Sequence, residues 1–275
     1  MNLPRPFILL LLLLLFCPTF FPGSSLVRGQ SDHIEHQQMP VPQSQQQVQA
    51  PSVQFKAASI RPVLPPYPVE GGPWIVSNGK FWTQTGVVRG VIALAYGLQA
   101  AQVRGGQPVV NRLYEFDAET EDPRAGPPQI RLALQTLLAD RFKLLVHRET
   151  QQGQEYTLVI GKNGPKIQQT TEGRRNLVTW AGPGQVTFTE CALNGLVNIL
   201  ADVLGNPVVD KTGLHGMYNF SLMYADPRLL KKSQANLSSA DILRAVQEQL
   251  GLQLESQPKA VDTLVIDHIE EPTPN

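Results

Sequence analysis

The chain has 275 residues, and its 23 basic and 23 acidic side chains leave no net formal charge at neutral pH. A chain of this length can bury a sizeable core in one or two domains. Balanced charge, without a long run of Lys and Arg, argues against a nucleic-acid-binding protein.

Residues 1–29 predict an export signal. One positive charge precedes the apolar run Phe7–Phe16, which has the length of a signal-peptide core and is too short to span a membrane. Cleavage is expected before Gln30 or before Leu26. Two alternatives stay open, namely a retained N-terminal anchor and a lipid attached to Cys17. The protein is therefore predicted to be periplasmic or secreted, with no membrane segment beyond the signal.

Cleavage would remove Cys17 and leave Cys191 as the one remaining cysteine, so no internal disulfide is expected. A domain of this size does not need one, even in an oxidising compartment. Cys191 begins an apolar helical pattern and follows Glu190, whose charge has the wrong sign to activate a thiol. It is predicted to be buried and unreactive.

Residues 30–52 are rich in Gln, Pro and His and have almost no large apolar side chain. Such a segment cannot bury enough surface to offset its chain entropy, and it is predicted to be a disordered tether. Folded structure is expected from about Val53, beginning with a strand over Phe55–Ile60. Asn78-Gly79 between two apolar segments predicts a hairpin.

The rest of the first half alternates between helical and strand-like patterns. Helical spacing of apolar residues predicts helices over Val87–Leu98 and Ile130–Phe142. Strands are expected at Gln102–Arg104, Leu113–Ala118, Leu144–His147 and Tyr156–Ile160.

The second half follows the same order. Helices are predicted over Ala192–Leu204 and from about Ala240 to Gly251, the second of them capped by Ser238 or Ser239. Strands are expected at Pro207–Asp210, Met217–Met223, Leu252–Leu254 and Val261–Ile269.

The two halves also share local sequence. Tyr114-Glu115-Phe116-Asp117 corresponds to Tyr218-Asn219-Phe220-Ser221, and both halves end in Thr-Leu-Val-Ile. The helices are too short and too one-sided to be stable alone, so each must lie on a sheet. The predicted fold is α+β, with two tandem, internally duplicated helix-on-sheet units over residues 53–170 and 171–275.

Several segments after Val53 resemble a large paralogous family of secreted proteins of unknown function that is expanded in soil Acidobacteria. The similar segments are Phe55–Pro62, Ala95-Tyr96-Gly97, Leu137–Leu144, His147–Thr150, Val209–Leu214 and the terminus Val265–Asn275. The resemblance implies export and an α+β fold, and it implies no activity.

One departure from the family is visible. Val109-Val110 stands where the family usually has a Trp shortly after a Gly-Gly-x-Pro turn, so no role of that Trp can be transferred to this chain. A looser similarity, in the repeated helix–strand units alone, is to the small periplasmic domains that precede secretin and TonB-dependent receptor channels.

The motifs of common enzymes and cofactor-binding proteins are missing. The sequence has no nucleophile elbow, phosphate-binding loop, HExxH or paired-Cys metal motif, so no cofactor and no metal are predicted. His33 and His36 lie in the tether. His268 and Glu270 lie on one side of a strand, and two ligands do not close a coordination shell.

The most motif-like segment runs from Asp210 to Gly216. It is typical of a tight turn in which Asp210 and Thr212 bond to their own backbone and Gly213 takes a positive φ. A second interpretation makes Asp210, Lys211 and His215 a weak candidate set for binding or acid–base catalysis.

These observations favour a non-catalytic module that binds an envelope protein, a peptide or a polymer. Exposed strand edges and the loop Pro65–Pro73 are the expected contact surfaces, with strand pairing as one route. Two alternatives stay open: an extracytoplasmic hydrolase that uses the Asp210–His215 loop, and a sensory domain of an envelope signalling system.

Overall fold

The computed structural model of the chain describes residues 53–65, 70–71, 74–171, 176–182, 184–225 and 235–273. All of these residues fall within one unit that spans residues 49–275. The predicted signal, the predicted tether with His33 and His36, and most of the loop Pro65–Pro73 lie outside the described residues.

The described residues contain both helices and strands, which confirms the α+β class. The helices are α1 (Val88–Tyr96), α2 (Pro127–Phe142), α3 (Leu193–Leu204) and α4 (Ala235–Ala245). The strands are β1 (Phe55–Pro62), β2 (Glu70–Gly71), β3 (Ile75–Ser77), β4 (Lys80–Val87), β5 (Val103–Gly105), β6 (Leu113–Thr120), β7 (Leu145–Ile160), β8 (Gln168–Thr170), β9 (Leu177–Gly182), β10 (Gln185–Cys191), β11 (Val208–Asp210), β12 (Met217–Met223) and β13 (Leu252–His268).

Three of the four predicted helices lie within a few residues of their expected positions. The fourth, α4, begins at Ala235, earlier than predicted, so that Ser238 and Ser239 lie within the helix and not at its start. A π-helical turn, Val246–Leu250, continues α4. The turn ends at Gly251, which adopts the left-handed conformation expected of a helix-ending glycine.

The predicted hairpin at Asn78-Gly79 is confirmed. Asn78 and Gly79 connect β3 to β4 with φ values of 53° and 71°. Two consecutive positive φ values define the turn that matches the twist of a two-residue hairpin, and Asn followed by Gly is the dipeptide that adopts it most readily.

The strands form three sheets. Two of them have the orders β1-β6-β4-β3 and β2-β9-β10-β12-β8. The third has the order β11-β7-β13-β5 and therefore combines strands from both halves of the chain. Its two central strands are antiparallel, whereas the short outer strands β11 and β5 run parallel to their neighbours β7 and β13.

The strand predictions were wrong at the centre of this third sheet. Leu144–His147 and Tyr156–Ile160 were predicted as two strands, and they are parts of the single strand β7. The predicted strands Leu252–Leu254 and Val261–Ile269 are likewise parts of β13. The two long strands pair with each other along almost their whole length, and this pairing holds their polar middle segments in the sheet.

Two hydrophobic cores lie at opposite ends of the β7–β13 pair. The first contains the buried faces of α1 and α2 together with Leu264 and Ile266 of β13. The second contains the buried faces of α3 and α4 together with Tyr156 and Leu158 of β7. Each half of the chain thus supplies side chains to the core that is otherwise built by the other half. The duplication of the two units stays a prediction.

Candidate functional site

The structure places the predicted candidates Asp210, Lys211 and His215 in the turn after β11. Asp210 Oδ1 accepts hydrogen bonds from the backbone N–H and the hydroxyl of Thr212, both at 2.8 Å. Thr212 Oγ1 in turn accepts from the N–H of Leu214 at 3.1 Å. These bonds are those of the predicted tight turn.

Lys211 and His215 contribute to this region through their backbones. The N–H of Lys211 donates to the Leu158 carbonyl at 2.9 Å, and the His215 carbonyl accepts from the Tyr218 hydroxyl at 3.1 Å. All three candidate side chains are exposed. Within the described part of the chain, no hydrogen bond or ion pair joins one of the three to another.

Cys191 is the last residue of β10, two residues before α3, and it is buried as predicted. Its thiol donates to the carbonyl oxygens of Leu177 and Thr189 at 3.3 and 3.4 Å. Burial raises the pKa of this thiol, and the Glu190 carboxylate raises it further. A raised pKa disfavours the reactive thiolate.

Two histidines contact carboxylates near the C-terminal end of β13. His147 Nδ1 is 2.8 Å from Asp267 Oδ1, and His147 Nε2 is 3.1 Å from Glu149 Oε1. His268 Nε2 is 2.8 Å from Glu270 Oε1. Only the His268–Glu270 proximity was foreseen from the sequence, because Asp267 meets His147 through the pairing of two strands that are distant in sequence.

The His147 cluster is not arranged to bind a metal ion. Its two carboxylates lie at opposite nitrogens of one ring, so they do not converge on a common point. In the ranges that the structure describes, no group of three or more His, Cys, Asp and Glu residues could hold a metal ion.

The carboxylates of Asp267 and Glu149 raise the pKa of His147 through their hydrogen bonds to the ring. Because the folded-state pKa lies above the unfolded value, the charged ring stabilises the fold at acidic pH. This contribution is lost as the pH rises through the raised pKa. We expect His147→Gln to lower the melting temperature more at pH 5.5 than at pH 9.

The matched control for this pH dependence is His215→Gln, because the His215 ring has no described hydrogen bond to a carboxylate. Thermal unfolding followed by circular dichroism at both pH values measures the effect. A His147→Gln penalty that is equal at the two pH values would contradict the assignment.

One cleft borders the third sheet, and another borders the sheet with the order β2-β9-β10-β12-β8. The polar groups of both clefts are largely hydrogen-bonded within the protein. In a cleft of about 320 Å³, Lys259 Nζ lies 2.6 and 2.7 Å from the Glu155 carboxylate oxygens. The Gln99 amide there bonds both the N–H and the C=O of Val208. In a cleft of about 370 Å³ beside α4, the Gln249 amide bonds both backbone groups of Met223. Because these side chains are already hydrogen-bonded within the protein, we assign no ligand-binding site to either cleft.

The middle of the β7–β13 pair forms a ribbon with both faces in solvent. Residues 150–154 of β7 and 258–262 of β13, which pair with each other, are exposed or half-buried, whereas Thr157 and Thr263 on either side of this stretch are buried. Because successive side chains of a strand point to opposite faces, this stretch has both faces largely in solvent.

The backbone direction along β7 follows from its contacts with β11. The N–H of Tyr156 donates to the Pro207 carbonyl at 2.8 Å, and the C=O of Leu158 accepts from Lys211 at 2.9 Å. Both groups point away from β13. In an antiparallel pair this direction alternates from residue to residue, and the β7–β13 register is uninterrupted from Ile160 to Val146. The even-numbered residues of β7 therefore point their N–H and C=O groups outward.

The outer edge of β7 is unpaired over most of its length. β11 covers only Tyr156–Leu158. Beyond it, the outward N–H and C=O groups have no hydrogen-bond partner among the described residues; we call this row the open edge, and it consists of Val146, Arg148, Thr150, Gln152 and Gln154.

The outer edge of β13 is different, because the chain itself blocks two of its outward positions. Pro258 pairs with Gln154, so its backbone also points outward, and proline has no N–H that could donate to another strand. The outward carbonyl of Asp262 accepts from the Gln102 side chain at 2.8 Å. Proline and local side-chain bonds are common devices that protect a sheet edge. The open edge of β7 has neither.

Comparison with known families gives a match over much of the chain. A family model described as a protein of unknown function (DUF3738) matches residues 89–269, which make up more than half of the chain. The chain belongs to this family. The match includes all of β7 and the Asp210–His215 turn. Neither a curated protein nor a solved structure matches the chain.

Membership of a family of unknown function confirms that part of the resemblance, whereas export and the link to soil Acidobacteria stay predictions. None of the helices in the described ranges is long and apolar enough to cross a membrane.

Proposed function

We propose that this protein is a non-catalytic binding module of the cell envelope or exterior, and that it binds an extended segment of a protein partner along the open edge of β7. Export is part of the proposal and is supported by the apolar segment Phe7–Phe16 behind a basic residue.

The single observation that carries the proposal is the row of five outward backbone positions without a hydrogen-bond partner among the described residues. An exposed strand edge is a template for another strand, because the partner's N–H and C=O groups complete the hydrogen bonds. The row is uninterrupted, since no register shift occurs in β7 between Val146 and Ile160. A segment of about nine residues would cover it at the usual spacing of a strand.

The side chains beside the open edge are mainly polar. Thr150 donates to Asp262 Oδ1 at 3.2 Å, and Arg148 donates to the Tyr96 carbonyl at 3.0 Å. Gln152 and Gln154 are exposed. Affinity at such an edge comes mainly from main-chain bonds, and polar neighbours favour a partner with alternating polar side chains.

The internal duplication of the chain is also part of the proposal. Its support is the matching strand order, because β1-β6-β4-β3 of the first half corresponds to β8-β12-β10-β9 of the second. In addition, β5 pairs with the long strand of the second half, and β11 pairs with that of the first. Two duplicated units that exchange their long strands produce one central ribbon with two edges, and of these the edge of β7 is the one without proline or local side-chain bonds among the described residues.

The test uses random twelve-residue peptides displayed on phage and selected against the purified chain, which is immobilised at a density low enough to keep its copies apart and the open edge accessible. Each selected peptide is then measured against the variant Gln152→Pro. Proline at this outward position removes one N–H of the open edge without removing a bond of the fold, and proline is tolerated on edges. We expect the variant to lower the affinity of selected peptides about ten-fold or more, which corresponds to about 1.4 kcal/mol.

The matched control is Ser256→Pro, which places the same residue at an outward position of β13. We expect this variant to bind the selected peptides as the wild type does. Circular dichroism must show that both variants are folded. Peptides that bind the wild type and Gln152→Pro equally well would refute strand addition at this edge.

A further inference from the structure

The occupant of the open edge can be inferred from the pattern of residues along it. We infer that a second copy of this chain pairs with it, β7 against β7, in an antiparallel arrangement around a two-fold axis at Thr150. This inference rests on the proposed function and names the partner of the same edge.

The ribbon between the two cores is thin enough to gain stability from a second copy. Between the two cores it consists of two strands with both faces exposed, and two-stranded structures are at best marginally stable in water. A single added peptide would give three strands. A second copy contributes its own β7 and β13, so that the two ribbons form a four-stranded sheet.

The register in which two β7 strands can pair also favours a second copy. Outward residues must face outward residues to exchange hydrogen bonds. A two-fold axis at Thr150 places Arg148 opposite Gln152 and Val146 opposite Gln154. This register uses every position of the open edge in both copies, and it places Thr150 opposite its own copy, which is a favourable cross-strand pair.

Electrostatics disfavours three neighbouring registers. An axis at Arg148 or at Glu149 would place that charged residue directly opposite its copy. An axis at Gln152 would place Glu149 opposite Glu155. Like charges directly opposite each other destabilise a strand pair.

An axis at Gln151 avoids like charges but loses hydrogen bonds. It would pair Val146 with Tyr156, whose outward N–H already donates to Pro207. The pairing would then shorten at both ends. The register at Thr150 is therefore the one that combines full length with the absence of directly opposed like charges.

The nearest like charges in this register are the two Glu149 carboxylates, which are diagonal neighbours across the axis. Each is hydrogen-bonded to its own His147 at 3.1 Å and to its own Gln151 at 2.8 Å. These bonds hold the carboxylate toward its own chain and reduce the repulsion across the axis.

The test is disulfide cross-linking of variants that carry one introduced cysteine in a Cys17→Ser background, in which the buried Cys191 is kept. In a hydrogen-bonded antiparallel pair, the two Thr150 Cα atoms would be about 5.5 Å apart, within the range that a disulfide can bridge. The two Gln154 Cα atoms would be roughly 27 Å apart. We expect Thr150→Cys to form at least about ten-fold more cross-linked dimer than Gln154→Cys after mild oxidation.

Sedimentation of the wild type and of Gln152→Pro over a range of concentrations completes the test. We expect a dimer of the wild type that Gln152→Pro dissociates. A wild type that stays monomeric, or equal cross-linking at both positions, overturns the second-copy inference. If the displayed peptides still discriminate between the wild type and Gln152→Pro, the edge remains a binding site and only its partner has been misidentified. If they do not, the proposed function fails as well.

Discussion

Neither half of the chain is expected to fold when residues 53–170 and 171–275 are produced separately. The first core would lose Leu264 and Ile266, which are 1% and 8% exposed, and the second would lose Tyr156 and Leu158, which are 9% and 0% exposed. Burial of each such side chain contributes about 1.5–3 kcal/mol. Two of them, with the strand that carries them, approach the total stability of about 5–15 kcal/mol of an ordinary domain.

Circular dichroism and the dispersion of amide resonances measure this outcome directly. Each fragment alone should have the spectrum of an unfolded chain, and the two fragments mixed or produced together should recover the native spectrum. The intact chain is the reference. A cooperative thermal transition in either isolated fragment would show that the exchange of strands between the cores is not required for folding.

Gly251→Ala is expected to be among the most destabilising single substitutions. Gly251 ends the π-helical turn with φ +66°, a conformation in which alanine is strained. A Cβ at this position would also overlap the Gly164 carbonyl oxygen, which belongs to the backbone and cannot rotate away. Strain and overlap together should cost about 2–5 kcal/mol.

The matched control is Gly205→Ala, at the end of α3. Gly205 has almost the same φ, +65°, and no heavy atom within 4 Å of the added Cβ. Its cost should be limited to the conformational strain of about 1–2 kcal/mol. Denaturant unfolding of the two variants compares them. Equal losses would mean that the chain relaxes around Gly164 and that the close approach there does not constrain the fold.

The parts of the fold that local sequence determines could be predicted. Apolar residues at helical spacing located α1, α2 and α3, and Asn78-Gly79 located a hairpin, because a turn of that type depends on two adjacent φ values. The turn after Asp210 was also predictable, since Asp210 and Thr212 bond to backbone groups two residues away.

The central ribbon was not predictable, because its strands are held by partners far away in sequence. The middle of β7 contains Gln151-Gln152-Gly153-Gln154, and the middle of β13 contains Pro258. Polar runs with Gly or Pro are typical of turns, so the sequence predicts two short strands in place of each long one. Pairing between the strands overrides that local preference, and no pattern within either segment announces it.

The sequence predicted the type of candidate site, an exposed strand edge, but not its location. Exposed strand edges are a general expectation for a sheet protein. Which edge is open depends on the short length of β11 and on the position of Pro258 relative to Gln154, and both become visible only once the strand register is known. The His147–Asp267 contact was missed for the same reason.

The most direct test of the account is amide hydrogen exchange along β7, measured by NMR on dilute protein that light scattering shows to be monomeric. The account predicts an alternation: the amides of Arg148, Thr150 and Gln152 exchange fast, and those of Glu149 and Gln151 exchange about ten-fold or more slowly, because their N–H groups bond to β13. Uniformly slow exchange in the monomer would mean that this edge is already covered, and would contradict both the open edge and the function derived from it.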